Sequence, residues 1–334
     1  MLFRSAFISL ACASLAMLPG AASHTSAASE PNLTQSAPAP DNAGISGSLT
    51  HVFHLTKDGK YAAAEKDLRA FLQQDLNSAD AHFLLGYVLY REQHPKSSLA
   101  EYTAGARIRK PKANDLAVVA MDYILLRDYT DADKWLTLAT HWEPSSFLYL
   151  YYLGRTKYNE AQYQQAADIF KRALLLQPKS VRAEYNLGLS YAGLNQEDAA
   201  VTAYKTAILW ERGSAHPDPQ PFFDLGHVFL DRGNYQQAAV NLEKAVSLDP
   251  ENPRFHEFLG QAYEFLGRLK SASTQMEDAI EISPNISALH FQLGRIYQKE
   301  GLTAKAGKEF ARCSALQGTH STDTAETPNP VSKK

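Results

Sequence analysis

Residues 147–178 read FLYLYYLGRTKYNEAQYQQAADIFKRALLLQP, and this stretch decides the fold. Leu153–Gly154, Ala166, Phe170, Ala173 and Pro178 stand among apolar residues at helical spacing. A shift of 34 residues brings back the same types: Leu187–Gly188, Tyr191, Ala200, Tyr204 and Ala207. After four extra residues come Leu225–Gly226, Phe229, Ala238, Leu242, Ala245 and Pro250. Two further copies hold Leu259–Gly260, Tyr263, Ala272, Met276, Ala279 and Pro284, then Leu293–Gly294, Tyr297, Ala306, Phe310 and Cys313. Upstream, Val119–Ala120, Tyr123, Ala132, Leu136, Ala139 and Pro144 fit with Ala in place of Gly. Leu85–Gly86, Leu89, Ser98, Tyr102 and Gly105 fit loosely, and Val52, Leu55, Ala64, Leu68 and Phe71 more weakly. About eight copies result, and six Leu–Gly pairs in one phase are hard to obtain by chance.

The spacing has a physical reading. Leu150, Leu153, Gly154 and Lys157 share one face of a helix. Glycine inside a helix costs roughly 1 kcal/mol relative to alanine. Its return at six equivalent positions therefore predicts a packing role, a place where a second helix comes too close for any Cβ. Ala166 and Ala173 and their counterparts serve the same approach from the second helix, while Phe170, Tyr204 and Phe310 fill the space between. Pro178, Pro250 and Pro284 stop that helix and open the next repeat. One hairpin of this kind cannot bury its apolar face alone, so neighbours must stack.

These residues resemble the tetratricopeptide repeat family, whose W-x2-L-G-x2-Y, A-x3-F and P pattern the central stretch follows except at Leu150 and Lys157. The resemblance implies an all-α, right-handed superhelical solenoid over 45–318, with repeats starting near 45, 79, 113, 147, 181, 219, 253 and 287. It also implies that the first helices line a concave face. Transferred position by position, that face presents Phe83, Tyr87 and Tyr90, then Ala117, Met121 and Ile124, then Tyr151, Arg155 and Tyr158. Tyr185 and Leu189 follow, then Phe223, His227 and Leu230. Arg254, Glu257, Gln261 and Glu264 come next, and the last repeat gives Phe291, Arg295 and Gln298. The expected partner-binding set is Phe83, Tyr87, Tyr90, Met121, Tyr151, Arg155, Tyr158, Tyr185, Phe223, His227, Arg254, Phe291 and Arg295. The alternative for some of these aromatics is packing onto the neighbouring repeat. Asn186 fits one slot of the family's two-carboxylate clamp, but its Lys and Asn partners are missing, which argues against an acidic C-terminal peptide.

The flanks read differently. Arg4, an apolar run from Ser5 to Leu18, Pro19–Gly20 and Ala21–Ala22–Ser23 form an export signal over 1–23. The run is too short to span a membrane comfortably. Cys12 lacks the residue context of a lipid-anchored cysteine, and its loss with the signal leaves Cys313 alone, without a disulfide partner. Residues 24–44 and 319–334 have the Ser, Ala and Pro content of disordered linker and tail. The insert 211–221, ERGSAHPDPQP, predicts a stiffened loop with Gln220 extended before Pro221.

Little in the chain points to chemistry. His51 and His54 lack a third ligand, and His82, His256 and His290 share one packing slot, so no metal or cofactor is expected. No nucleophile elbow, zinc-protease, phosphate-loop or dinucleotide motif occurs. A formal charge of −3 gives no reason to expect nucleic acid. The expectation is an exported, non-enzymatic scaffold that binds a peptide or protein. The alternative is a polysaccharide-associated module using the aromatic groove. The lack of an obvious polar cap after Gln317 suggests weak self-association through the last repeat.

Overall fold

The computed structural model describes Pro40 and residues 47–322, with side chains to Gly318. The expected export signal, most of the expected linker and the last twelve residues lie outside the described residues. Within them the chain is all α, with sixteen α-helices, a 3-10 turn at Gly47–Leu49 and no strand. The helices fall into two units that part between Trp210 and Glu211.

The first unit holds five helix pairs: α1 (Thr50–Lys57) with α2 (Tyr61–Gln74), α3 (Ala79–Arg91) with α4 (Pro95–Ile108), α5 (Ala113–Leu125) with α6 (Tyr129–Trp142), α7 (Phe147–Asn159) with α8 (Tyr163–Leu176), and α9 (Val181–Gly193) with α10 (Glu197–Trp210). The second holds three: α11 (Gln220–Asp231) with α12 (Tyr235–Leu248), α13 (Pro253–Phe265) with α14 (Leu269–Ile282), and α15 (Ser287–Lys299) with α16 (Thr303–Thr322). Within each unit every helix packs on its partner, and each second helix packs on the first helix of the pair that follows.

The glycine slot does what its cost implies. A Cβ on Gly154 would stand 2.8 Å from the Phe170 ring, and one on Gly188 or Gly294 would stand 2.6 Å from Tyr204 or Phe310. In the later pairs Leu242 and Met276 take the place of the ring, over Gly226 and Gly260. The partner alanines Ala166, Ala173, Ala200 and Ala207 are fully buried.

The turn inside each pair is equally regular. Gly59, Gly233, Gly267 and Gly301 are left-handed there, and so are the non-glycines Gln93, Arg127, Ala161 and Asn195. The following amide bonds back five residues, as Gln162 N to Lys157 O and Arg268 N to Tyr263 O at 2.9 Å. This is the Schellman closure, repeated in all eight pairs. Ser78, Ser146, Ser180 and Asn252 cap the first helices that follow them by accepting from their opening amides.

Two details depart from the sequence reading. Gln220 is not extended: it opens α11, with Pro221 in the first turn, where a missing N–H leaves no helical bond unmade. The last helix also runs past Gly318 to Thr322, and Lys305, Lys308 and Arg312 stand exposed on it.

Candidate partner-binding site

Most of the expected aromatic face is interior. Phe83, Tyr87, Tyr90, Met121, Tyr151, Tyr185 and Phe223 are all buried. The cause is contact between successive first helices, in addition to each helix's own partner. Tyr90 donates from its hydroxyl to Met121 Sδ at 3.6 Å, across one repeat. Tyr151 stacks on Phe147 and meets Phe170 edge-on, and Tyr185 meets Tyr204 at 5.9 Å. Phe223 lies against Phe255 at 4.9 Å and under the Arg254 guanidinium at 5.2 Å. Most of the surface of these rings is taken up by packing within the fold. Arg155, Tyr158 and His227 are half-buried, with His227 edge-on to Phe258 at 4.8 Å. Arg254 is exposed.

The expected face opens into a larger cleft in the last two pairs. There Gln261, Glu264, Phe265, Phe291, Arg295 and Gln317 line a cleft of about 400 Å³. The exposed Phe265 ring at one side is held by stacking on Tyr235 at 4.6 Å. Glu264 is buried, and its Oε1 accepts from Arg295 at 2.9 Å and from Lys299 at 2.7 Å. A second chain links Glu257 to Gln292 at 2.9 Å and Gln292 to Gln261 at 3.3 Å. Burial pushes the Glu257 carboxyl up, and the bond from Gln292 partly opposes this. The cleft thus sets apolar surface beside a row of amide and charged groups.

The structure also explains residues that the repeat pattern left odd. Lys157, in a tyrosine slot, bonds Asp133 of the preceding pair at 2.9 Å. Where tyrosine is kept, its hydroxyl serves the same purpose: Tyr263 donates to Glu243 at 2.8 Å. Burial and that carboxylate push the Tyr263 phenol up to about 12. His82, His256 and His290 do more than pack. His290 Nδ1 lies 2.7 Å from Glu309 and its Nε2 3.0 Å from the Pro284 carbonyl, tying the second helix to the entering turn. His82 does so through Glu101 and Leu76, and His256 through Gln275 and Pro250. The readable signal was a carboxylate or amide nineteen residues after each histidine. No group of three or more His, Cys, Asp or Glu that could hold a metal occurs among the described residues. Cys313 is buried and lines the cleft.

Family models agree with this architecture. Models described as tetratricopeptide repeat match residues 54–114 and 137–217, and residues 253–286. One described as TPR repeat matches 226–267. The chain is therefore a tetratricopeptide-repeat protein. Among curated proteins no significant match was found. Among solved structures it is similar to a tetratricopeptide repeat protein from Parabacteroides merdae, at 16% identity and a TM-score of 0.56, over 74% of this chain and 96% of that one. It is similar to the APC/C hetero-tetramer Cut9–Hcn1 at 15% identity and a TM-score of 0.56, over 74% and 48% of the two chains. YrrB, titled a TPR protein with an unusual peptide-binding site, shares 19% identity over 55% and 93%, with a TM-score of 0.48.

Proposed function

We propose that the protein is an exported interaction scaffold that binds an extended polypeptide in the cleft between α13, α15 and α16. The observation that carries this reading is the cleft itself. At about 400 Å³ it lies within the range of recognition pockets and places Phe291 and Arg295 beside Gln261 and Glu264. The polysaccharide alternative needs accessible ring faces, and most of the expected rings are buried. A non-enzymatic role fits a site whose charged groups are already bonded to one another. Export follows from the reading of residues 1–23 and predicts a mature N-terminus at His24, which mass spectrometry of the purified protein reads directly.

The test is affinity capture from envelope extract with residues 24–334 as bait, beside a Phe291→Ala/Arg295→Ala variant. A protein retained by the first bait and lost by the second supports the reading. Equal capture by both moves binding elsewhere. A ligand that survives protease treatment of the extract returns the polysaccharide alternative.

A further inference from the structure

A second pocket lies in the first unit, and Pro40, from before the first repeat, forms part of its lining. Pro40 lines it together with Phe83, Leu84, Tyr87, Tyr102 and Arg109, and the space left over is about 30 Å³, room for roughly one water. The walls are fixed. Phe83 and Tyr102 pack at 5.8 Å, and the Arg109 guanidinium lies 4.7 Å over the Phe83 ring while bonding Asp80 at 2.9 Å. Arg91 donates to the Tyr87 hydroxyl at 2.7 Å. Pro40 itself is half-buried. It ends the run Ser36-Ala-Pro-Ala-Pro40, in which proline alternates with alanine.

Proline suits such a pocket for two reasons. Its ring presets φ, so little backbone freedom is lost on docking, and it has no N–H that burial would strand. Aromatic-walled grooves recognise extended proline-containing segments on this basis. We propose that the Phe83–Tyr87–Arg109 pocket is a proline-binding site which the chain's own Pro40 fills, so that the segment before the first repeat competes with a proline-bearing segment of a partner. This rests on the scaffold reading above for the partner, but not for the docking itself.

The experiment uses the full chain. In protein labelled with 13C-proline, the Pro40 ring gives isotope-filtered NOEs to the Phe83 and Tyr87 rings, and Pro40→Ala shifts those ring signals. Absent NOEs, or ring signals unmoved by Pro40→Ala, overturn the proposal. No partner enters this arm, so its failure is separable from failure of the cleft reading. In the second arm the probe is the synthetic peptide SAPAPDN, residues 36–42. It binds the Pro40→Ala chain at least tenfold more tightly than the unaltered chain and restores the ring shifts, and the same peptide with Ala at its second proline does not. Equal affinity for both chains, or no loss with the altered peptide, refutes competition at this pocket.

Discussion

At the scale of single residues, the repeat is held by one contact: a large side chain of the second helix laid on a glycine of the first. Gly188→Ala would push a Cβ to 2.6 Å from the Tyr204 ring, and overpacking of this kind costs about 1–3 kcal/mol. Gly307 in α16 has nothing within 4 Å of its virtual Cβ, so Gly307→Ala should be stabilising by up to about 1 kcal/mol. Urea denaturation of both variants checks the pair, and equal effects would mean the slot is not what requires glycine. Asp122 is the opposite case, a residue out of place. Its carboxyl is fully buried, accepts from Ser98 at 2.6 Å through one oxygen, and has no partner for the other. Burial pushes it up to about 8, against the lowering effect of the Ser98 bond. The folded state therefore holds this proton more tightly than the unfolded chain. The resulting stability is full below about pH 4 and is lost as pH rises through about 8. Asp122→Asn should remove that slope and stabilise the protein at pH 8.5 by roughly 2–4 kcal/mol, given the 1.4 kcal/mol per pKa unit. Melts from pH 4.5 to 8.5 read it, and an unchanged slope in the variant would refute the assignment. The glycine contact was legible in the sequence, because an unfavourable residue recurred in one phase. Asp122 was not, since its neighbour Ser98 stands in a copy that follows the pattern only loosely.

At the scale of the element, the turn within each pair is always left-handed, whether or not glycine is there. Four repeats meet the requirement with glycine and four with Gln93, Arg127, Ala161 or Asn195. A left-handed residue with a Cβ costs roughly 1 kcal/mol or more. Ala161→Gly should therefore stabilise by about 0.5–1 kcal/mol, and Gly267→Ala should destabilise by a similar amount. Thermal melts of the two variants decide it. A loss in both would mean that side chains at this turn contribute packing that their solvent position hides. Helix count, pairing and phase were readable from the 34-residue period alone. The candidate face was readable only as a set of positions. Helical periodicity says which residues point away from the partner helix, but not how closely the next repeat's first helix comes. That distance buried Tyr87, Met121, Tyr151 and Phe223 and left Phe291 and Arg295 beside open space.

At the scale of the molecule, the chain is two helical units with different openings onto solvent. In the unit ending at Trp210 the inner rings are packed shut, and one pocket is lined by Pro40. In the unit beginning at Glu211 the inner residues become polar, and a cleft opens beside the final helix. No helix among the described residues is long and apolar enough to cross a membrane. The fold alone leaves function open, because helical repeats serve unrelated partners and recognition resides in the side chains they present. The central claim is that a polypeptide partner occupies the cleft of the second unit. The most direct measurement places a photo-crosslinking amino acid at Ala288, which lines that cleft, and in parallel at the exposed Val240 of α12. The account predicts a discrete polypeptide adduct from position 288 that disappears with Arg295→Ala, and none from position 240. An adduct from 240 but not from 288, or one from 288 indifferent to Arg295→Ala, would contradict it.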